Sequence, residues 1–235
     1  MKHLVAYLQT IDKRWLATWI IIYVGFVVLS SFSPNFVGTD VLKIIGIALC
    51  LIYTCQKFKK DSLLIIALAF TLLADVILTI NDISIFGVVT FCFAQFFHTA
   101  RLKQTKPIFL IFYFLIATVI FLIAVWLKIN PMYAIAGIYA YGLFSNLFFS
   151  VRWYFAAKST ASTCATVGFF LFVLCDICVA LSYLGVTAVL PFIFKPLGDY
   201  FAWIFYYPSQ VLISNSSDTA NPNAKKTLKK LATES

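Results

Sequence analysis

The chain has 235 residues, 62% of them apolar and only 11% charged, with a mean hydropathy of +0.95. Soluble domains carry about 45–50% apolar and about 25% charged residues, so a water-soluble globule is excluded. The formal charge of +9, from 18 Lys and Arg against 9 Asp and Glu, suits nucleic acid only on a soluble basic module; here it points to the loops of an integral membrane protein, and no nucleic-acid partner is expected.

A span needs about 20 apolar residues. Reading apolar runs between charge clusters in chain order gives eight: 15–32, 41–56, 62–80, 84–100, 107–127, 131–151, 162–184 and 188–214. The predicted fold is therefore all-α, a polytopic bundle of eight transmembrane helices over residues 15–214. A cytoplasmic segment, 1–14, precedes it, and a polar basic tail, 215–235, follows and is read as disordered. The first run has a polar lead of 14 residues and no small-x-small cleavage site before Pro34, so it reads as a retained helix. The last contains Pro191, Pro196 and Pro208, which predicts a broken span or one beginning near Gly198.

The basic residues set the orientation. Lys2, Lys13 and Arg14 precede the first span; Lys57, Lys59 and Lys60 follow the second, Arg101, Lys103 and Lys106 the fourth, and Arg152 and Lys158 the sixth. Lys225, Lys226, Lys229 and Lys230 lie in the tail, which leaves Lys43, Lys128 and Lys195 for the other side. The positive-inside rule then places both termini in the cytoplasm, and the even span number agrees with it.

Ionisable groups inside spans are costly and point to function. Those within the runs are Lys43, Asp75, His98 and Asp176, with Asp199 near an end. Asp75 lies 13 residues after Ser62 and Asp176 lies 14 after Ser162, so at 1.5 Å per residue both sit about 20 Å from the cytoplasmic face. Two carboxyl groups at one depth can divide into an acid and a carboxylate. They can also serve packing alone, by accepting hydrogen bonds from neighbouring helices. His98, nearer the cytoplasmic end, is read as an interfacial histidine. Gln95, Asn146 and Gln210 are uncharged polar groups of the kind that link helices.

Six cysteines fall in or beside the apolar runs. Cys175 and Cys178 have CxxC spacing, but on a helix this is one turn, and no second pair completes a tetrahedral site. They are read as packing residues. With only two histidines, His3 and His98, and no phosphate loop, nucleophile elbow or HExxH helix, no metal site and no cofactor is expected.

Residues Ala67 to Leu78 read ALAFTLLADVIL, and Gly168 to Ala180 read GFFLFVLCDICVA. These resemble the two Asp-bearing motifs of the YhhN family of membrane proteins, ALxFSLxGDVxL and GxxxFxxSDxxLA, with Ala74 in place of Gly and Cys175 in place of Ser. Tyr206, Tyr207, Gln210, Leu212 and Ile213 match the family's YYxxQxLI. Lys43 resembles the Lys of its KP motif, with Ile44 where Pro is common. Gly87 and Phe91 fit the G…F…H pattern of span four, where Gln95 stands at the His position. The resemblance runs from about Lys43 to Ser214.

The family includes lysoplasmalogenases, so the resemblance implies hydrolysis of the vinyl-ether bond of a lysophospholipid to a fatty aldehyde and a glycerophospho-alcohol. Asp75 and Asp176 would act as general acid and carboxylate. Lys43 would hold the substrate phosphate, and Gln95, Tyr206, Tyr207 and Gln210 would orient substrate or support the acids. The partner is then a membrane lipid or lysophospholipid, in the cell membrane or, for a bacterium, the inner membrane. A proton-coupled small-molecule or lipid transporter can use the same acids, and their equivalent places on spans three and seven hint at two four-helix halves. A non-catalytic membrane partner is a further alternative.

Overall fold

The computed structural model describes residues 13–32, 37–81, 84–103, 107–187 and 201–217. The predicted amino-terminal segment before Lys13, Lys106, Pro191, Lys195, Pro196, Asp199 and the tail from residue 218 lie outside them. The described residues form eight helices and no strand: α1 (Lys13–Phe32), α2 (Val37–Lys57), α3 (Ser62–Ile80), α4 (Ile85–Lys103), α5 (Pro107–Trp126), α6 (Pro131–Ala157), α7 (Thr160–Thr187) and α8 (Ala202–Ser214). Their order follows the eight apolar runs. Helices α4 and α6 extend past the runs through Lys103 and Arg152, because long basic side chains can keep their heads at the interface while their stems stay on the helix; α7 runs on to Thr187. Helices α1, α2, α3, α4, α6 and α7 are long and apolar enough to cross a membrane.

Helix ends are set by local chemistry. Asp61 caps α3 by accepting from the Leu64 N–H, and Asn130 caps α6 by accepting from Met132 N–H at 3.0 Å, with Pro131 in the first turn. Pro suits that place because its missing N–H would have no helical partner. Helix α5 ends with Lys128 in the left-handed region (φ 57°) and Ile129 N–H returning to the carbonyl of Ala124, a Schellman closure built without the usual glycine.

The helices form two compact units. In the first, α1, α2, α7 and α8 pack together, with α8 lying against α7, α2 and α1. Gly168 of α7 permits this closeness: an added Cβ would come within 3.2 Å of the backbone N of Ile213 and the carbonyl of Ser209. In the second unit, α4 packs on α3 and α6, and α5 on α6. The packing units are thus not the first and second halves of the chain, and each mixes spans differently from the repeat suggested by the two Asp motifs.

Large apolar side chains face outward. On α5, Leu115, Leu122, Ile123, Val125 and Trp126 are all at least half exposed, while Ala124 is buried. An apolar surface of this extent is untenable in water and agrees with a multi-pass membrane protein whose outer faces meet lipid tails.

Candidate functional site

The residues predicted for the site divide between the units. Lys43, Asp176, Tyr206, Tyr207 and Gln210 belong to the first, Asp75 and Gln95 to the second.

In the first unit an aromatic cluster joins α1, α2, α7 and α8. The Lys43 ammonium lies 4.6 Å from the Trp203 ring centre and 5.9 Å from that of Phe26. It also forms an ion pair with Asp40 at 2.8 Å. The predicted phosphate holder therefore already has a counter-ion, three residues earlier on the same helix face, a partner that (i, i+3) spacing makes legible in the sequence. Trp203 meets the edge of Tyr206 at 4.9 Å between centroids, and Tyr206 meets Phe172 at 5.4 Å. Asp176 follows Phe172 by one helical turn, hence on the same face of α7. It stands 16 residues into the helix, about 24 Å along it.

Tyr207 packs flat on Tyr23, with 5.9 Å between centroids and 8° between planes. Its ring fills the space that a side chain on residue 46 would take, so Gly46 is required beside it. The hydroxyl of Tyr23 in turn donates to the carbonyl of Ile204 at 3.2 Å. Tyr207 Oη and Gln210 Oε1 are buried without a hydrogen-bond partner among the described residues. A buried polar atom left unpaired costs about 1–3 kcal/mol, so both mark places suited to a polar group of a ligand or a water.

In the second unit Asp75 is 7% exposed and Gln95 fully buried. The α3–α4 pair is antiparallel: Gly87 faces Leu78, Phe70 stacks on Phe93 and Phe97, and Arg101 reaches Asp61. Gln95 lies against Asn146 of α6, and its Nε2 has no partner among the described residues. His98, read as an interfacial histidine, is fully buried within the protein near the end of α4.

Arg101 needs a correction. Its charge was assigned to topology alone, yet it is only 8% exposed and pairs with Asp61 at 3.0 Å. Asp61 also accepts from Ser217 Oγ at 2.7 Å. Burial raises the pKa of the Asp61 carboxyl, but the Arg101 charge and the hydrogen bonds from Ser217, Arg101 and Leu64 outweigh it and hold the pKa below the usual carboxylate value. Nothing in the local sequence reveals a partner 40 residues away. None of the six cysteines forms a disulfide, and Cys175 is buried.

A model of the YhhN family matches residues 38–217. The chain belongs to the YhhN family. That match takes in both Asp motifs, Lys43, Gln95 and the Tyr206–Gln210 segment, so every predicted site residue of this YhhN protein falls within the family region. No curated protein and no solved structure matches the chain.

Proposed function

We propose that this YhhN protein is an intramembrane hydrolase of the lysoplasmalogenase kind, with eight spans and both termini in the cytoplasm. Family membership supports the class. The observation that carries the reading is that Gln95, Tyr207 and Gln210, three residues assigned to substrate, each hold a buried polar atom with no partner among the described residues.

The chemistry asks little of the protein beyond two carboxyl groups. One carboxylic acid protonates the β-carbon of the vinyl ether, giving an oxocarbenium ion. Water adds to that ion and gives its proton to the other carboxyl group as carboxylate. The resulting hemiacetal collapses to the aldehyde and the alcohol. Asp75 and Asp176 are assigned these roles, and the apolar interior takes the single chain. Lys43, beside Trp203, is assigned the substrate phosphate, which must compete with Asp40. Incubating the purified protein with alkenyl and acyl lysophospholipids and following aldehyde by mass spectrometry tests this directly. Aldehyde from the alkenyl lipid alone is expected; none from either would overturn it.

The division into two units, with Asp176 in the first and Asp75 in the second, is the observation favouring a proton-coupled transporter. Uptake into vesicles that depends on a proton gradient, with the lipid recovered intact, would establish that reading instead.

A further inference from the structure

Two cations of the second unit stand near one another on neighbouring helices. Contacts from Cys92 to Ile135, Gln95 to Asn146 and Lys103 to Phe149 advance along both chains together, so α4 and α6 run parallel and end on the same side. Lys103 is the last residue of α4, and Arg152 of α6 is close enough for their like charges to repel. Both rest against the aromatic surface of α6. The Lys103 ammonium lies 5.6 Å from the Phe149 ring centre and the Arg152 guanidinium 5.9 Å from that of Phe148. The two rings meet edge to face, 5.5 Å apart. Cation–π contacts of this kind fix long side chains in advance and so reduce what a ligand must order.

Charge at this end of the unit is unbalanced. Among the described residues, Lys59, Lys60, Arg101, Lys103, Arg152 and Lys158 stand here against Asp61. Asp61 already accepts from Arg101 and Ser217. Two cations kept together at the edge of a low-dielectric phase repel more than they would in water, and a phosphate shared between them turns that repulsion into two charge-assisted contacts.

The surface beside the pair selects the kind of phosphate. Tyr141, Phe144, Phe148, Arg152 and Phe155 recur at three- and four-residue spacing and so form one stripe along α6. Its four aromatic side chains are all more than half exposed. An inorganic phosphate gains nothing from such a stripe. A glycerophospholipid lays its chains along Phe144 and Phe148 and brings its phosphate one turn further on, to Arg152 and Lys103.

We infer that Lys103 and Arg152, with the aromatic stripe of α6, form a binding site for an anionic glycerophospholipid. None of the residues assigned to the reaction takes part, so the site stands apart from the hydrolase reading. A zwitterionic head would bring a third cation to the pair, and the preference is therefore for lipids of net negative charge.

The test is native mass spectrometry of the detergent-solubilised protein, titrated with phosphatidylglycerol and with phosphatidylcholine of the same chains. Wild type is expected to retain one phosphatidylglycerol about 25-fold more tightly, about fivefold for each cation. Lys103→Met and Arg152→Met are each expected to lose about fivefold of that preference. Lys60→Met, which removes an exposed cation from the turn before α3, is expected to leave it unchanged. Equal retention of the two lipids, or a loss in Lys60→Met as large as in the other two variants, overturns the site in favour of diffuse surface charge. Inorganic phosphate at the same concentration is expected not to displace the lipid; displacement would overturn the part given to the aromatic stripe and with it the lipid as ligand.

Discussion

Tyr23 provides the hydrogen bond that Pro208 withholds. Its hydroxyl lies 3.2 Å from the carbonyl of Ile204, four residues before that proline. In an uninterrupted helix the N–H of residue 208 would occupy that carbonyl, and proline has none to give. The first helix thus repairs the backbone of the last, beside the Tyr207 and Gln210 side chains. Tyr23→Phe is expected to destabilise the protein by about 1–2 kcal/mol. In a Pro208→Ala background, where the backbone N–H is restored, the same change is expected to cost close to nothing. Thermal unfolding of the four proteins of this double-mutant cycle checks it; equal costs in both backgrounds would refute the repair.

Gly168 faces the Ile213 side chain and, behind it, backbone atoms of Ser209 and Ile213 that cannot turn aside. Gly168→Ala is expected to force α7 and α8 apart and cost about 1–3 kcal/mol, visible as a lower unfolding temperature in detergent. An unchanged midpoint would mean that the helices can shift freely.

The Asp61–Arg101 pair sets a pH dependence with a definite sign. Because the folded carboxyl titrates below its usual value, its contribution is complete above the unfolded pKa near 3.9 and is lost as pH falls through the folded value. Asp61→Asn is expected to lower stability by about 3 kcal/mol at neutral pH and to converge with wild type in acid. Stability curves that stay parallel down to pH 3 would exclude the pair as their cause.

Loss of either acid speaks to chemistry rather than folding. Asp75→Asn and Asp176→Asn are each expected to reduce aldehyde release by about 10²-fold or more while leaving membrane insertion and unfolding temperature near wild type. Full activity in either purified variant would remove that residue from the reaction.

At the aromatic cluster, Asp40→Asn should free the Lys43 ammonium for a phosphate. It is expected to lower KM for a lysophospholipid, whereas Lys43→Met raises KM with little change in kcat. A pair of variants that alter kcat alone would place Lys43 elsewhere in the mechanism.

The sequence made the helices legible because their ends carry charge and their interiors do not. The run at 62–80 coincides with α3, those at 84–100 and 131–151 are continued through Lys103 and Arg152, and the last run is described as a helix only from Ala202. The two acids were legible for the same reason, as charges where few belong. Their support was less so. Asp40 stands one turn before Lys43 and could have been found by spacing. Asn146 was recognised as a helix linker, but its partners Gln95 and Thr99 lie on another helix. Tyr23 looked like one apolar-run aromatic among many. Arg101 was counted correctly as a positive charge and misjudged in consequence, since a charge count carries no information on what a guanidinium touches.

The division of the spans also has a temporal side. The second unit draws its described helices from one uninterrupted stretch, Phe58–Lys158, so α3 to α6 can settle against one another as soon as they leave the ribosome. The first unit is closed only when residues beyond Ser159 arrive, about a hundred residues after Lys57, or about 5–20 s at ordinary synthesis rates. During that interval α1 and α2 wait in the bilayer without α7 and α8, Tyr23 without Ile204 and Gly46 without the ring it accommodates. The nascent chain is expected to need protection at its beginning rather than at its middle.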